Sequence, residues 1–74
     1  HVLMIPKAHT ENIITAEPEL LLYMFGKVKE LAEKLGVNEK GFRIVANTGD
    51  DGGQTVKHLH IHLLGGKALG WPPC

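Results

Sequence analysis

Residues 58–64 read His-Leu-His-Ile-His-Leu-Leu. A strict alternation of polar and aliphatic residues has a period of two, which is the signature of a strand with two unlike faces. The expected strand runs from Val56 to Leu64 and stops at Gly65-Gly66. It sets His58, His60 and His62 on one face and Leu59, Ile61 and Leu63 on the other. A strand with one aliphatic face needs a second layer to cover it. The chain supplies one upstream. Leu21, Phe25, Val28, Ala32 and Leu35 recur at helical spacing, with Met24 and Leu31 alongside, and predict one long helix from Glu17 to Leu35. Pro18 suits its first turn, Glu17 and Glu19 suit its positive dipole end, and Gly36 suits its C-terminal stop. Gly26, inside it, costs roughly 1 kcal/mol relative to alanine and marks a candidate close contact. Met24, Phe25 and Leu31 are assigned to the core. Lys27, Lys29, Glu30, Glu33 and Lys34 form the solvated face.

Two further strands are expected. Val2 to Ile5 is apolar and is closed by Pro6, which cannot donate to a ladder. Phe42 to Ala46 is β-rich. Lys7 to Thr15 reads as connecting chain with His9 as an exposed loop residue, and Asn47 to Gly53 has turn composition throughout. The order is strand, helix, strand, strand, with the 42–46 and 56–64 strands as antiparallel neighbours. The fold class expected is α+β, an antiparallel sheet with one long helix packed on it. The 74 residues form one small domain, and a domain of that size is marginal alone. His1 to Ile5 reads as a strand already under way, so an N-terminal truncation is expected.

Charge narrows the function classes. Eight basic residues balance eight acidic ones, which argues against a general nucleic-acid or membrane-surface binder. The longest aliphatic run, Leu20-Leu21-Leu22, is far short of the roughly 20 residues that span a bilayer. A single cysteine, Cys74, gives neither a disulfide framework nor a multi-cysteine zinc site. With no secretory leader pattern and a single cysteine, a cytoplasmic setting is expected. Trp71-Pro72-Pro73 is too proline-rich for a helix or central strand, and on its own terms Trp71 would fill an apolar gap.

Three imidazoles on one strand face are a poor structural choice, because they repel when charged and have modest β propensity. They suit chemistry better. Metal binding is one option, since two alternate histidines can ligate one zinc. The third converges poorly, because at the strand rise His58 and His62 stand roughly 13 Å apart. Nucleophilic catalysis fits the row more naturally: one imidazole attacks, another donates a proton, and a third orients its neighbour. The chain has no serine, so Thr55 is the hydroxyl nearest the histidines. Gly52-Gly53-Gln54-Thr55 immediately precedes the strand and could offer backbone N–H groups and a hydroxyl to an anion. The chemistry expected is attack at phosphorus with histidine as the nucleophile.

These residues resemble the histidine triad family, whose motif alternates three histidines with hydrophobic residues and ends on two of them. His58 to Leu64 matches every position. His1 to Lys7, Asn47, Asp51 to Thr55, Gly65-Gly66 and Trp71-Pro72-Pro73 look like the Hint branch of that family, the purine nucleoside phosphoramidases. The resemblance implies an α+β homodimer that hydrolyses nucleoside phosphoramidates without a metal or other cofactor. It implies that His60 attacks the α-phosphorus, that His62 contacts the phosphate and that His58 supports the orientation of His60. By the same resemblance Asn47, Gly53, Gln54 and Thr55 fall in the ribose- and phosphate-binding stretch. His1 lies near the triad, and Trp71 belongs to a tail that reaches toward a partner subunit. Thr55 stands where that branch usually has serine, and Cys74 where it usually has glycine. The family domain also carries more chain before the position of His1, so 74 residues alone would give an incomplete pocket with weak or no turnover. Two other readings are a nucleotide-binding or protein-interaction module with little turnover and a dinucleoside-polyphosphate hydrolase.

Overall fold

A computed structural model of the chain describes residues 1–73; Cys74 lies outside the described residues. Its elements are β1 (Val2–Met4), α1 (Pro18–Gly26), α2 (Val28–Leu35), β2 (Phe42–Val45) and β3 (Ile61–Gly65). The three strands form one antiparallel sheet in the order β1-β3-β2. The α+β class and the antiparallel pairing of the last two strands are as the sequence implies. β3 is central, with Leu63 opposite both Val2 and Ile44, and His62 opposite both Leu3 and Val45.

Alternation along the histidine segment holds throughout. Leu59, Ile61 and Leu63 are 2%, 1% and 4% exposed, while the histidines between them are half-buried. Each such aliphatic side chain contributes roughly 1.5–3 kcal/mol on burial, so the register of this segment is strongly fixed. Leu59 and Ile61 form the core with Met24, and Met4, Leu20, Leu21 and Ile44 pack around them.

The expected strand from Val56 begins only at Ile61. The reason lies in its neighbour: β1 ends at Met4, opposite Ile61, and Pro6 follows, so among the described residues none continues the ladder beside 58–60. Residues 6–10 stand in with irregular bonds; Leu59 N–H donates to the Thr10 carbonyl at 2.8 Å. At its other end β3 runs one residue further than expected. Gly65 pairs with Phe42, and a Cβ there would approach Val37 Cγ1 to 3.1 Å.

The long helix is bent, and runs as α1 and α2. Lys27, at φ −87° and ψ −9°, separates α1 from α2 directly after Gly26, and its N–H turns back to the Met24 carbonyl at 3.1 Å. A glycine and a tightened i→i−3 bond are ordinary causes of a helix bend. Gly26 is exposed and a Cβ on it would meet nothing within 4 Å, so it does not serve as a close contact. The buried face continues across the break through Met24, Val28 and Ala32. Phe25, expected in the core, is 47% exposed because it lies beside that face. Gly36 ends α2 in the left-handed conformation at φ 73°.

Candidate active site

The three triad histidines come together on the open side of the sheet, and their ring bonds define what each can do. His60 Nδ1 lies 2.8 Å from the His58 carbonyl. A carbonyl only accepts, so Nδ1 carries the proton and donates it. In the neutral ring, Nε2 then holds an available lone pair. His60 therefore presents an unprotonated ring nitrogen in a fixed orientation.

His58 is held at both ring nitrogens. Nε2 donates to the Pro6 carbonyl at 3.1 Å, which leaves Nδ1 of the neutral ring as an acceptor. Nδ1 of His9 lies 3.0 Å away and donates to it. His62 Nδ1 makes a 2.8 Å bond with Nε2 of His1, so His1 does lie beside the triad. The rings of His60 and His62 meet edge to face with centroids 5.0 Å apart. His9 is the residue that reading the sequence missed. It is exposed and sits in connecting chain, and no spacing rule links it to a partner 49 positions away.

The 47–55 loop is built differently from the anion cradle expected of it. Gly53 N–H donates to the Asp50 carbonyl and Gln54 N–H to the Gly49 carbonyl, both at 3.0 Å. Both amides are thus committed to the turn in this conformation. The Gln54 side chain points inward and is buried. Its Nε2 donates to the carbonyls of Glu11 at 2.7 Å and Val56 at 3.1 Å, and its Oε1 accepts from Gly49 N–H at 3.0 Å. In this conformation the side chain of Gln54 organises the loop. Asn47 braces the same loop by donating from Nδ2 to the Gly52 carbonyl at 2.7 Å. Thr55 is exposed immediately after Gln54, three residues before His58.

The tail leans on β2. Arg43 donates from Nη2 to the Gly70 carbonyl at 2.9 Å, and its guanidinium lies 5.5 Å from the centre of the Trp71 ring. Trp71 remains 78% exposed, so it fills no gap in this chain. A separate cavity of about 720 Å³ opens near the end of β3, lined by Gly36, Val37, Lys40, Gly66 and Lys67 among others. Among the described residues no cluster of three or more His, Cys, Asp or Glu side chains is placed to hold a metal ion. None of the described helices is long and apolar enough to cross a membrane.

A small α+β sheet that displays a bonded row of histidines defines a class, and comparison with known proteins assigns it. Residues 1–69 match the HIT domain, and the chain belongs to the HIT domain family. It is 53% identical to an uncharacterized HIT-like protein of Synechococcus elongatus, covering 99% of this chain and 66% of that protein. An uncharacterized HIT-like protein of Chlamydia trachomatis is 51% identical, with 95% and 65% covered. The chain thus spans just under two thirds of the length of these curated relatives. Among solved structures, a HIT family hydrolase from Legionella pneumophila superposes with a TM-score of 0.90 at 43% identity, covering 97% of this chain and 67% of that one. A histidine triad nucleotide-binding protein from Candida albicans gives 0.76 at 29% identity, covering 95% and 57%.

Proposed function

We propose that the chain carries the catalytic histidines of a nucleotide hydrolase that cleaves purine nucleoside phosphoramidates through a nucleotidyl-histidine intermediate. The observation that carries this reading is the bond from His60 Nδ1–H to the His58 carbonyl, which leaves Nε2 free to attack. The lone pair of Nε2 forms a bond to the α-phosphorus as the P–N bond breaks, and the leaving amine takes up a proton. We assign to His62 the donation of that proton or a contact with a phosphoryl oxygen; its ring centre, 5.0 Å from that of His60, supports the role. Water then attacks the phosphorus, the P–N bond to His60 breaks, and the nucleoside monophosphate leaves. No metal or cofactor takes part in this scheme. The names of the Legionella hydrolase and the Candida nucleotide-binding protein support the reaction class and the ligand class.

We also assign Asn47, Gly53, Gln54 and Thr55 to the ribose- and phosphate-binding stretch; the exposed position of Thr55 supports that reading. We read the working unit as a homodimer, in which the exposed Leu22, Tyr23 and Phe25 of α1 and the exposed Trp71 would meet a second copy. The test is rapid mixing with adenosine 5′-phosphoramidate, a quench in base, and an intact-mass spectrum. A transient adenylyl adduct is expected, and it should disappear in His60→Ala while nucleotide binding persists. In a longer chain that also carries the part of the family domain preceding His1, nucleotide binding with neither adduct nor product would overturn the hydrolase reading in favour of a binding module.

A further inference from the structure

The nucleophile proposed above stands just outside the regular sheet. The ladder of β3 begins at Ile61, so residues 58–60 lack the repeated backbone bonds that would fix a strand residue in place. They are pinned instead by the segment after β1. Pro6 accepts from the His58 ring, Thr10 accepts from Leu59 N–H, and His9 donates to the other nitrogen of the His58 ring.

We propose that His9 is a positioning residue for His60, acting through His58. This inference rests on the hydrolase reading for its catalytic consequence, but its structural half stands alone. With Pro6 and His9 engaged, the His58 ring is confined to one tautomer, protonated on Nε2 and bare on Nδ1. Its plane is fixed by two bonds to opposite sides of the ring. The carbonyl that orients His60 belongs to the same residue, and its peptide plane is held where Leu59 N–H donates to Thr10, the residue after His9, so ring and carbonyl are tied to the same 6–10 segment. Without His9, Nδ1 of His58 faces water, the alternative tautomer becomes accessible, and the Pro6 bond is lost whenever it forms. The His58 carbonyl, and with it the Nε2 lone pair of His60, then samples a wider range of orientations. Reaction rates depend steeply on such alignment. Because His9 is exposed and touches no reacting atom, its loss should leave substrate affinity nearly unchanged.

The experiment uses two variants of the chain. His9→Phe keeps a ring and removes the donor. His9→Asn places an amide donor near the position of Nδ1. The first readout is the 15N chemical shifts of the His58 ring in the unliganded protein. The wild type and His9→Asn should show the Nε2-protonated form, and His9→Phe should show a mixture. The second is the single-turnover rate of adduct formation on His60. It should fall about tenfold in His9→Phe with KM changed by less than about twofold, and His9→Asn should recover most of it. Unchanged ring shifts and an unchanged rate in His9→Phe would overturn the proposal. So would a rate loss that His9→Asn fails to rescue while the ring shifts stay at wild-type values, since that marks general damage. If the longer chain that carries the part of the family domain preceding His1 binds nucleotide without turnover, the hydrolase reading fails, and the ring shifts alone still decide whether His9 sets the state of His58.

Discussion

Replacing Gln54 with alanine should cost far more than its place in a glycine-rich loop suggests. The side chain is 6% exposed and makes three well-formed bonds, to the carbonyls of Glu11 and Val56 and from the N–H of Gly49. A fourth, from Asn12 Nδ2, is long at 3.4 Å and adds little. Each good bond contributes about 1 kcal/mol net, so Gln54→Ala should destabilise the chain by about 3 kcal/mol. At roughly 0.05–0.15 kcal/mol per residue, a 74-residue domain has a total stability of only about 4–11 kcal/mol. The midpoint of thermal unfolding should drop by roughly 12–24 °C. Gln54→Glu should be worse near neutral pH, because a carboxylate would face two carbonyl oxygens. Its deficit should shrink as pH falls and the acid regains a donor. Urea unfolding followed by circular dichroism, extrapolated to water, measures all three chains. A loss below about 1 kcal/mol in Gln54→Ala would refute the assignment of Gln54 as the organiser of the loop.

Gly52→Ala should also destabilise, by about 1–3 kcal/mol, because a Cβ at that position would run into the Thr48 backbone carbonyl; the same urea titration measures it. Arg43→Ala should release the tail, since it removes the cation–π contact to Trp71 and the hydrogen bond to Gly70, and should lower stability by no more than about 1–2 kcal/mol. Trp71 is the single tryptophan, so a fall in its fluorescence anisotropy reports the release directly.

What could be read from the chain and what could not follow from the range of the interactions. The period-two pattern of Leu59, Ile61 and Leu63 is local and each member is buried, so strand character, face and core assignment were all legible. The same holds for Gly36, whose stop signal acts within one turn of the helix. The start of β3 was not legible, because it depends on how far β1 reaches before Pro6, more than fifty residues upstream. The helix break was half visible. Gly26 signalled weakness, but only the structure shows that the chain turns at Lys27 and that Met24 rather than Phe25 meets the sheet. The bonds of Gln54 to Glu11 and of His9 to His58 were not legible, because both residues sit in polar turn or connecting chain and these partners lie more than forty positions away.

Those long-range bonds join loop and triad into one assembly. All five histidines of the chain are bonded: His1 to His62, His9 to His58, and His60 to the His58 carbonyl. Each outer triad histidine is thus paired with a histidine from the first nine residues, while the middle one bonds to backbone. The backbone bond fixes the His60 ring through Nδ1 and leaves its Nε2 without a bond to the described residues. The segment that supplies the outer pairs is itself held down from the other side. Gln54 grips the carbonyl of Glu11, and Asn12 turns the chain by accepting the N–H groups of Ile14 and Thr15 on its Oδ1. Displacement of the 47–55 loop should therefore reach His60 by way of residues 6–12, without any contact between the loop and the ring. Gln54→Ala tests this coupling as well as stability. At temperatures where the variant remains folded, the ring shifts of His58 should move toward those of His9→Phe. A folded Gln54→Ala whose His58 ring stays in the wild-type state would show that the loop and the triad are mechanically independent.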